Sequence, residues 1–111
     1  MEIAIKKDSG VTIVCPNGRV DNSTAKSFEQ EIMRIISDNQ PIIISFSGIS
    51  YISSAGLRII LVAGKKIASV KGQLALADMS EKIYEVFKMS GFDKILKIYP
   101  TCSEAKSSFS K

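Results

Sequence analysis

Apolar and polar positions along this chain change their period several times, and each change marks an element. Ile3 and Ile5 alternate with polar neighbours, which predicts a strand. Asp8-Ser9-Gly10 is a turn signal, and Val11 to Cys15 predicts a second strand, so the two form a hairpin. Pro16-Asn17-Gly18 then breaks the strand. Asp21, Asn22, Ser23 and Thr24 are all helix N-cap types. Ala25, Phe28, Ile32, Ile35 and Ile36 follow at the spacing of an amphipathic helix of about three to four turns. Asn39-Gln40-Pro41 ends it. Ile42-Ile43-Ile44 is a β-branched run without alternation, the mark of a strand covered on both faces.

After a loop over 45–53, Leu57, Ile60, Leu61, Gly64, Ile67 and Ala68 return to helical spacing. Gly72 closes that helix and Leu74 to Ala77 reads as a short strand. Ser80 caps a third helix carrying Ile83, Val86 and Phe87, and Gly91 stands where a left-handed C-terminal residue is expected. Ile95 to Tyr99 is a last strand. Thr101-Cys102-Ser103-Glu104 matches a capping box and opens a short helix with Ala105 and Phe109. The order is ββαβαβαβα. Strands separated by helices imply a mixed, mostly parallel sheet with an N-terminal β-hairpin and about four helices. At 111 residues, the chain is expected to form one α/β domain over 1–111.

Composition removes several chemistries. There is no histidine, so a Ser-His-Asp triad, a phosphohistidine relay and histidine metal ligation are excluded. Cys15 and Cys102 lie far apart and form no CxxC pair, so a four-ligand zinc site is not expected. Cys15 reads as a small buried hydrophobe at the end of an apolar run. No GxGxxG follows a strand, and Gly64-Lys65-Lys66 lacks the rest of a phosphate-binding loop. Carboxylates are scattered, without the tight pair of a glycosidase. The chain is therefore read as a non-enzyme with no metal and no cofactor. No apolar stretch approaches the roughly 18 residues of a membrane span, and no signal core is visible, so membrane insertion is not expected and the cytoplasm is the expected location.

The net charge of +4 raises nucleic acid as a partner. Its location argues otherwise. Arg58, Lys65, Lys66 and Lys71 carry the whole excess on one predicted helix, and the rest of the chain is balanced. Arg58 and Lys65 are seven apart, on one face. Such a face serves solvent or a protein partner as well as it serves nucleic acid, and no aromatic-rich strand offers base stacking, so direct nucleic-acid binding is not expected.

The informative stretch runs from Ile44 to Arg58: Ile44-Ser45-Phe46-Ser47-Gly48-Ile49-Ser50-Tyr51-Ile52-Ser53-Ser54-Ala55-Gly56-Leu57-Arg58. It passes from a buried strand through a loop into a helix. Ser53 and Ser54 fall at the helix N-terminus, where unpaired backbone N–H groups welcome an anion, although capping alone also accounts for a serine there. The segment resembles the signature of the STAS domain, the family of bacterial anti-sigma factor antagonists, in which Ser-Ser-Ala-Gly-Leu or Asp-Ser-Ser-Gly-Leu opens a helix after an apolar strand and a short loop. The resemblance extends over the chain. Gly18-Arg19-Val20-Asp21 with Thr24-Ala25 and Phe28-Glu29 looks like the family's segment before helix 1. Leu74-Ala75-Leu76, Ser80, Val86 and Ser90-Gly91-Phe92 look like its second half, and Ile98-Tyr99-Pro100-Thr101 with Glu104-Ala105 like its ending.

By position, the resemblance implies that Ser54 is a phosphorylated serine, that Ser53 takes a place often held by Asp, and that Asp21 is an acidic residue near the phosphosite. It implies a partner surface over Asp21, Ser53, Ser54, Ala55, Gly56, Leu57 and Arg58. One departure is Ser45, where members often carry Asp or Asn. The implied function is partner switching. The unphosphorylated chain binds an anti-sigma factor that is also a serine/threonine kinase and frees the sigma factor. Phosphorylation at Ser54 releases the chain, and a PP2C-type serine phosphatase resets it. The alternative within the same family is a non-switching STAS subunit of a transporter or multi-protein scaffold.

Overall fold

In a computed structural model the chain is described over residues 2–36 and 41–109. β1 (Glu2–Asp8) and β2 (Val11–Val20) form the expected antiparallel hairpin, with Asp8 opposite Val11. The turn residues Ser9 and Gly10 both have positive φ, 54° and 82°. That twist suits a two-residue hairpin, and glycine adopts it without strain. α1 (Ala25–Ile36), β3 (Ile42–Ser45), β4 (Ile49–Ile52), α2 (Ser54–Ser69), β5 (Leu74–Ala77), α3 (Glu81–Met89), β6 (Ile98–Tyr99) and α4 (Cys102–Phe109) follow. Asn39 and Gln40, expected to end the first helix, lie outside the described residues.

Three expectations are corrected: the last strand is not Ile95 to Tyr99 but only Ile98–Tyr99, and the other two concern β2 and β4. Pro16-Asn17-Gly18 does not end the second strand, which runs on to Val20. The amides of Thr12 and Gly18 donate to the carbonyls of Pro41 and Gly48, both at 2.9 Å, so even-numbered residues of β2 turn their N–H toward the β3–β4 edge. Pro16 is in the same phase but falls opposite the turn between β3 and β4, where no N–H is required. The remaining correction is β4 itself, which the pattern places in a loop. It pairs parallel with β2 from Gly18 to Val20, past a register shift between Gly18 and Arg19. Its burial runs inside, outside, outside, inside, which hides the two-residue period of a strand.

The sheet order is β1-β2-β3-β5-β6, with β4 on the same edge of β2 as β3. The successive parallel strands β2, β3, β5 and β6 step across the sheet in one direction. Right-handed crossovers then place α1, α2 and α3 on one face. That face holds the main core, with Val14, Ile44 and Leu76 from the strands against Phe28, Ile32, Ile60, Ala63, Ile83 and Phe87. The other face is covered by α4, where Ile13, Ile43 and Ala75 meet Ala105. Ile42-Ile43-Ile44 is therefore buried from both sides, as its lack of alternation requires.

The expected caps are in place. Ser80 accepts from the amide of Ile83 at 3.2 Å, Thr101 from that of Glu104 at 3.1 Å, and Gly91 has φ 79°. Phe46 and Phe87 meet edge to face with ring centroids 5.6 Å apart and are buried. Phe87→Ala is expected to cost about 3–5 kcal/mol. Met89→Ala, two residues on at an 82% exposed position, should stay within about 0.5 kcal/mol. Urea unfolding of the two variants checks this.

Candidate functional site

The first turn of α2 sits directly on the ends of β2 and β4. The amide of Ser53 donates to the Val20 carbonyl at 2.8 Å, which ties the helix start to the strand end. Ser53 is the N-cap. Its backbone is extended, and its hydroxyl accepts from the amide of Gly56 at 3.2 Å. Gly56 is buried because a Cβ there would lie 2.7 Å from Val20 Cγ1 and 2.8 Å from Ile52 Cγ1. Val20 Cγ1 is a branch methyl and Ile52 Cγ1 a methylene, both one bond from Cβ and close to their own backbone, so a larger residue would push the helix off the strands. Leu57 is buried beside it.

These contacts separate the two serines. The Ser53 side chain is half-buried and occupied by the cap. Ser54 is the first residue of the helix and is exposed, and among the described residues nothing hydrogen-bonds its hydroxyl. The amides of Ser54 and Ala55 belong to the first turn and have no intrahelical acceptor. Arg58 is exposed one turn further on. Of the residues expected in the partner surface, Ser54 and Arg58 face solvent, Ser53 and Ala55 are partly exposed, and Gly56 and Leu57 face inward and hold the turn in place.

Asp21 comes to the same end of the molecule. It shares a shallow hollow with Arg19, Asn22, Ser23, Tyr51 and Ser53. Its Oδ1 accepts from the Ser23 hydroxyl at 2.7 Å and from the Ser23 amide at 3.0 Å. These bonds hold its carboxyl below the usual range and keep it ionised. Arg19 reaches Asp21 Oδ2 at 3.4 Å, and its guanidinium stacks 4.3 Å from the centre of the Tyr51 ring. Arg19 and Tyr51 are functional candidates that the sequence reading missed. The Arg19-x-Asp21 spacing on a strand end was the available signal for the first.

A second polar cluster lies under the sheet's other face. Ser45 is 3% exposed, and its hydroxyl donates to Asp78 Oδ2 at 2.7 Å. Asp78 also accepts from the Cys102 thiol at 3.1 Å and, through Oδ1, from the Cys102 amide at 3.2 Å. The end of β3 is thus satisfied by a carboxylate from beyond β5 rather than by one at position 45. Asp78 reaches it with φ 63°, a left-handed backbone that an L residue adopts at some cost. Burial, assisted by the Asp78 carboxylate, pushes the Cys102 thiol up to about 11. No group of His, Cys, Asp and Glu among the described residues is arranged to hold a metal ion. No helix among them is long and apolar enough to cross a membrane.

At pH 8 only roughly one Cys102 in a thousand is therefore a thiolate. In a Cys15→Ser background, alkylation of Cys102 should be slow, and Asp78→Asn should speed it severalfold by removing the carboxylate's share of the shift. Mass-resolved iodoacetamide kinetics checks this.

Comparisons with known proteins identify the family and the fold. The STAS domain model matches residues 2–105. A relative from Bordetella bronchiseptica, which carries the designation anti-sigma factor antagonist BtrV, is 31% identical over 108 residues, covering 96% of this chain and 90% of its own. An anti-sigma factor antagonist from Mycobacterium paratuberculosis has the same fold, with a TM-score of 0.91 at 23% identity over 99% of this chain and 94% of that one. The Bacillus cell fate determinant SpoIIAA, solved in its phosphorylated form, shares the fold with a TM-score of 0.71 at 20% identity, over 97% of this chain and 99% of that one. The chain belongs to the STAS domain family, and relatives that match it are named anti-sigma factor antagonists.

Proposed function

We propose that this STAS-domain chain is an anti-sigma factor antagonist that works by partner switching, with Ser54 as the phosphate acceptor. The observation that carries the reading is the division of labour between adjacent serines. Ser53 spends its hydroxyl on the cap, whereas Ser54 presents an exposed hydroxyl beside open amides at the start of α2. In this reading the unphosphorylated chain binds an anti-sigma factor that is also a serine/threonine kinase, through the first turn of α2, Arg58 and the rim around Asp21. The kinase brings ATP and magnesium, so the chain needs no nucleotide site. A PP2C-type serine phosphatase returns it to the binding form.

The electrostatics favour a switch without refolding. A phosphate adds roughly −1.5 to −2 charges at neutral pH. On the free chain it lies at the positive end of the helix dipole, a favourable contribution of about 0.3–1 kcal/mol. Within an interface it must be desolvated, at a cost of several kcal/mol. Each 1.4 kcal/mol is about tenfold in affinity, so charge alone suffices to release the partner.

Incubation with the cognate kinase and ATP should add about 80 Da to the wild type and to Ser53→Ala but not to Ser54→Ala, since phosphorylation replaces one hydroxyl proton with a phosphoryl group. Ser53→Ala should lose about 0.5–2 kcal/mol of stability with its cap. Ser54→Ala should bind the kinase constitutively, and Ser54→Asp or Ser54→Glu at least about tenfold more weakly. Equal binding by all three Ser54 variants would sink the switch. Arg58→Glu is expected to weaken kinase binding or slow phosphorylation, and an Arg58→Glu chain unchanged in both would remove Arg58 from the interface.

A further inference from the structure

α2 carries its exposed face beyond Ser54. Positions 54, 58, 61, 65 and 68 lie within one narrow stripe of a helix with 3.6 residues per turn. In this chain they are Ser54, Arg58, Leu61, Lys65 and Ala68, all exposed or half-exposed. Lys65 is about 16 Å along the axis from Ser54. There the stripe opens into a groove of about 340 Å³ between α2, the start of β5 and the segment before β6. Leu61, Ala68, Leu74, Leu96 and Ile95 line it, with Lys65 and Lys97 at the rim. Ile95 is 65% exposed, an unusual position for a side chain of that size. Gly64 keeps the groove open, because a Cβ there would stand 3.1 Å from Leu96 Cδ2.

The charge of this surface has one sign. No Asp or Glu occurs between Asp38 and Asp78, while Arg58, Lys65, Lys66 and Lys71 all fall in that interval. Among the described residues no carboxylate pairs with Arg58, Lys65 or Lys97, although Arg19, Lys88 and Lys106 each have one. Asp93 is the nearest acid in sequence to Ile95, and it is not part of the groove lining. An apolar floor between unpaired cations is complementary to an apolar segment edged with carboxylates.

We infer that the partner surface runs from Ser54 down the outer face of α2 into this groove, and that the groove takes an acidic-edged apolar segment of the anti-sigma factor. The inference rests on the antagonist reading and adds a second contact to it, one that phosphorylation does not touch. The Lys65 and Lys97 ammonium groups steer the acidic segment in, and Leu61, Leu96 and Ile95 hold its apolar side chains. Phosphate at Ser54 would then place like charge against the partner at one end of the contact while leaving the groove intact.

The test uses the full chain with Ser54→Ala, which holds the unphosphorylated form, and its purified anti-sigma factor serine kinase, measured by surface plasmon resonance across a salt series. Lys65→Glu and Lys97→Glu should each lower the association rate about tenfold and flatten its salt dependence. Lys6→Glu on β1, at the opposite sheet edge, should change neither. Ile95→Ser should raise the dissociation rate about fivefold with the association rate unchanged. Circular dichroism confirms that each variant is folded. If the Ser54→Ala chain binds and the three groove variants match it within twofold, the groove inference is wrong and the antagonist reading stands. If the Ser54→Ala chain binds no such kinase, the antagonist reading itself fails and takes the groove with it. Self-association of the chain, lost in Lys65→Glu and Lys97→Glu, would give the groove to a second copy and overturn the inference.

Discussion

The close seating of the first turn of α2 on the ends of β2 and β4 governs the end of the molecule that carries Ser54. It needs a β2 long enough to hold β3 on its first half and β4 on its second. It needs Pro16 to fall opposite the turn between them, where its missing N–H is not called for. It needs no side chain at Gly56, since a Cβ there would lie under 3 Å from both Val20 and Ile52. Given these, the Ser53 amide meets the Val20 carbonyl, the Ser53 hydroxyl caps the helix, and the next residue has nowhere to point but outward. The exposure of Ser54 follows from packing beneath it rather than from anything Ser54 does.

That chain of causes also explains what could be read in advance. The helices were legible because their buried residues recur at three and four, as Phe28, Ile32 and Ile36 do, and because Ser53, Ser80 and Thr101 are strong start signals. The central strand was legible because Ile42-Ile43-Ile44 leaves no polar face. β4 was not, since Ser50 and Tyr51 both face out and interrupt the period. The second half of β2 was not, because Pro16 and Gly18 are the residues that ordinarily stop a strand. Only the spatial gap beside Pro16 makes that proline harmless, and a gap between two other strands leaves no trace in local pattern.

The polar cluster of Ser45, Asp78 and Cys102 was illegible for a different reason. Its members are 33 and 24 residues apart along the chain and meet only because β3 and β5 are neighbours. Read alone, Ser45 looked like a missing carboxylate. In the fold the carboxylate is supplied from the adjacent strand end, where it also caps α4 through the Cys102 amide. One acid thereby satisfies a buried hydroxyl and a helix N-terminus together. This matters because an unpaired buried polar group costs about 1–3 kcal/mol. The raised thiol of Cys102 is a by-product: it is a donor held protonated, not a nucleophile.

The site and this cluster stand in instructive contrast. At Asp78 both carboxylate oxygens accept hydrogen bonds, and removing the carboxylate would disturb β3, β5 and α4 at once. At Ser54 the hydroxyl has no intramolecular partner among the described residues to lose. A modification there breaks no hydrogen bond of the fold and creates no cavity, so its free energy is not spent on rearranging the chain. In the proposed switch the added charge would instead be expressed where another surface approaches α2. Such a surface would meet a helix with no acid of its own, whose basic residues pair with no carboxylate among the described residues. If Ser54 is phosphorylated as proposed, fixed cations along the helix and an added anion at its start would be sufficient for a contact to be strong in one state and weak in the other while the domain remains the same.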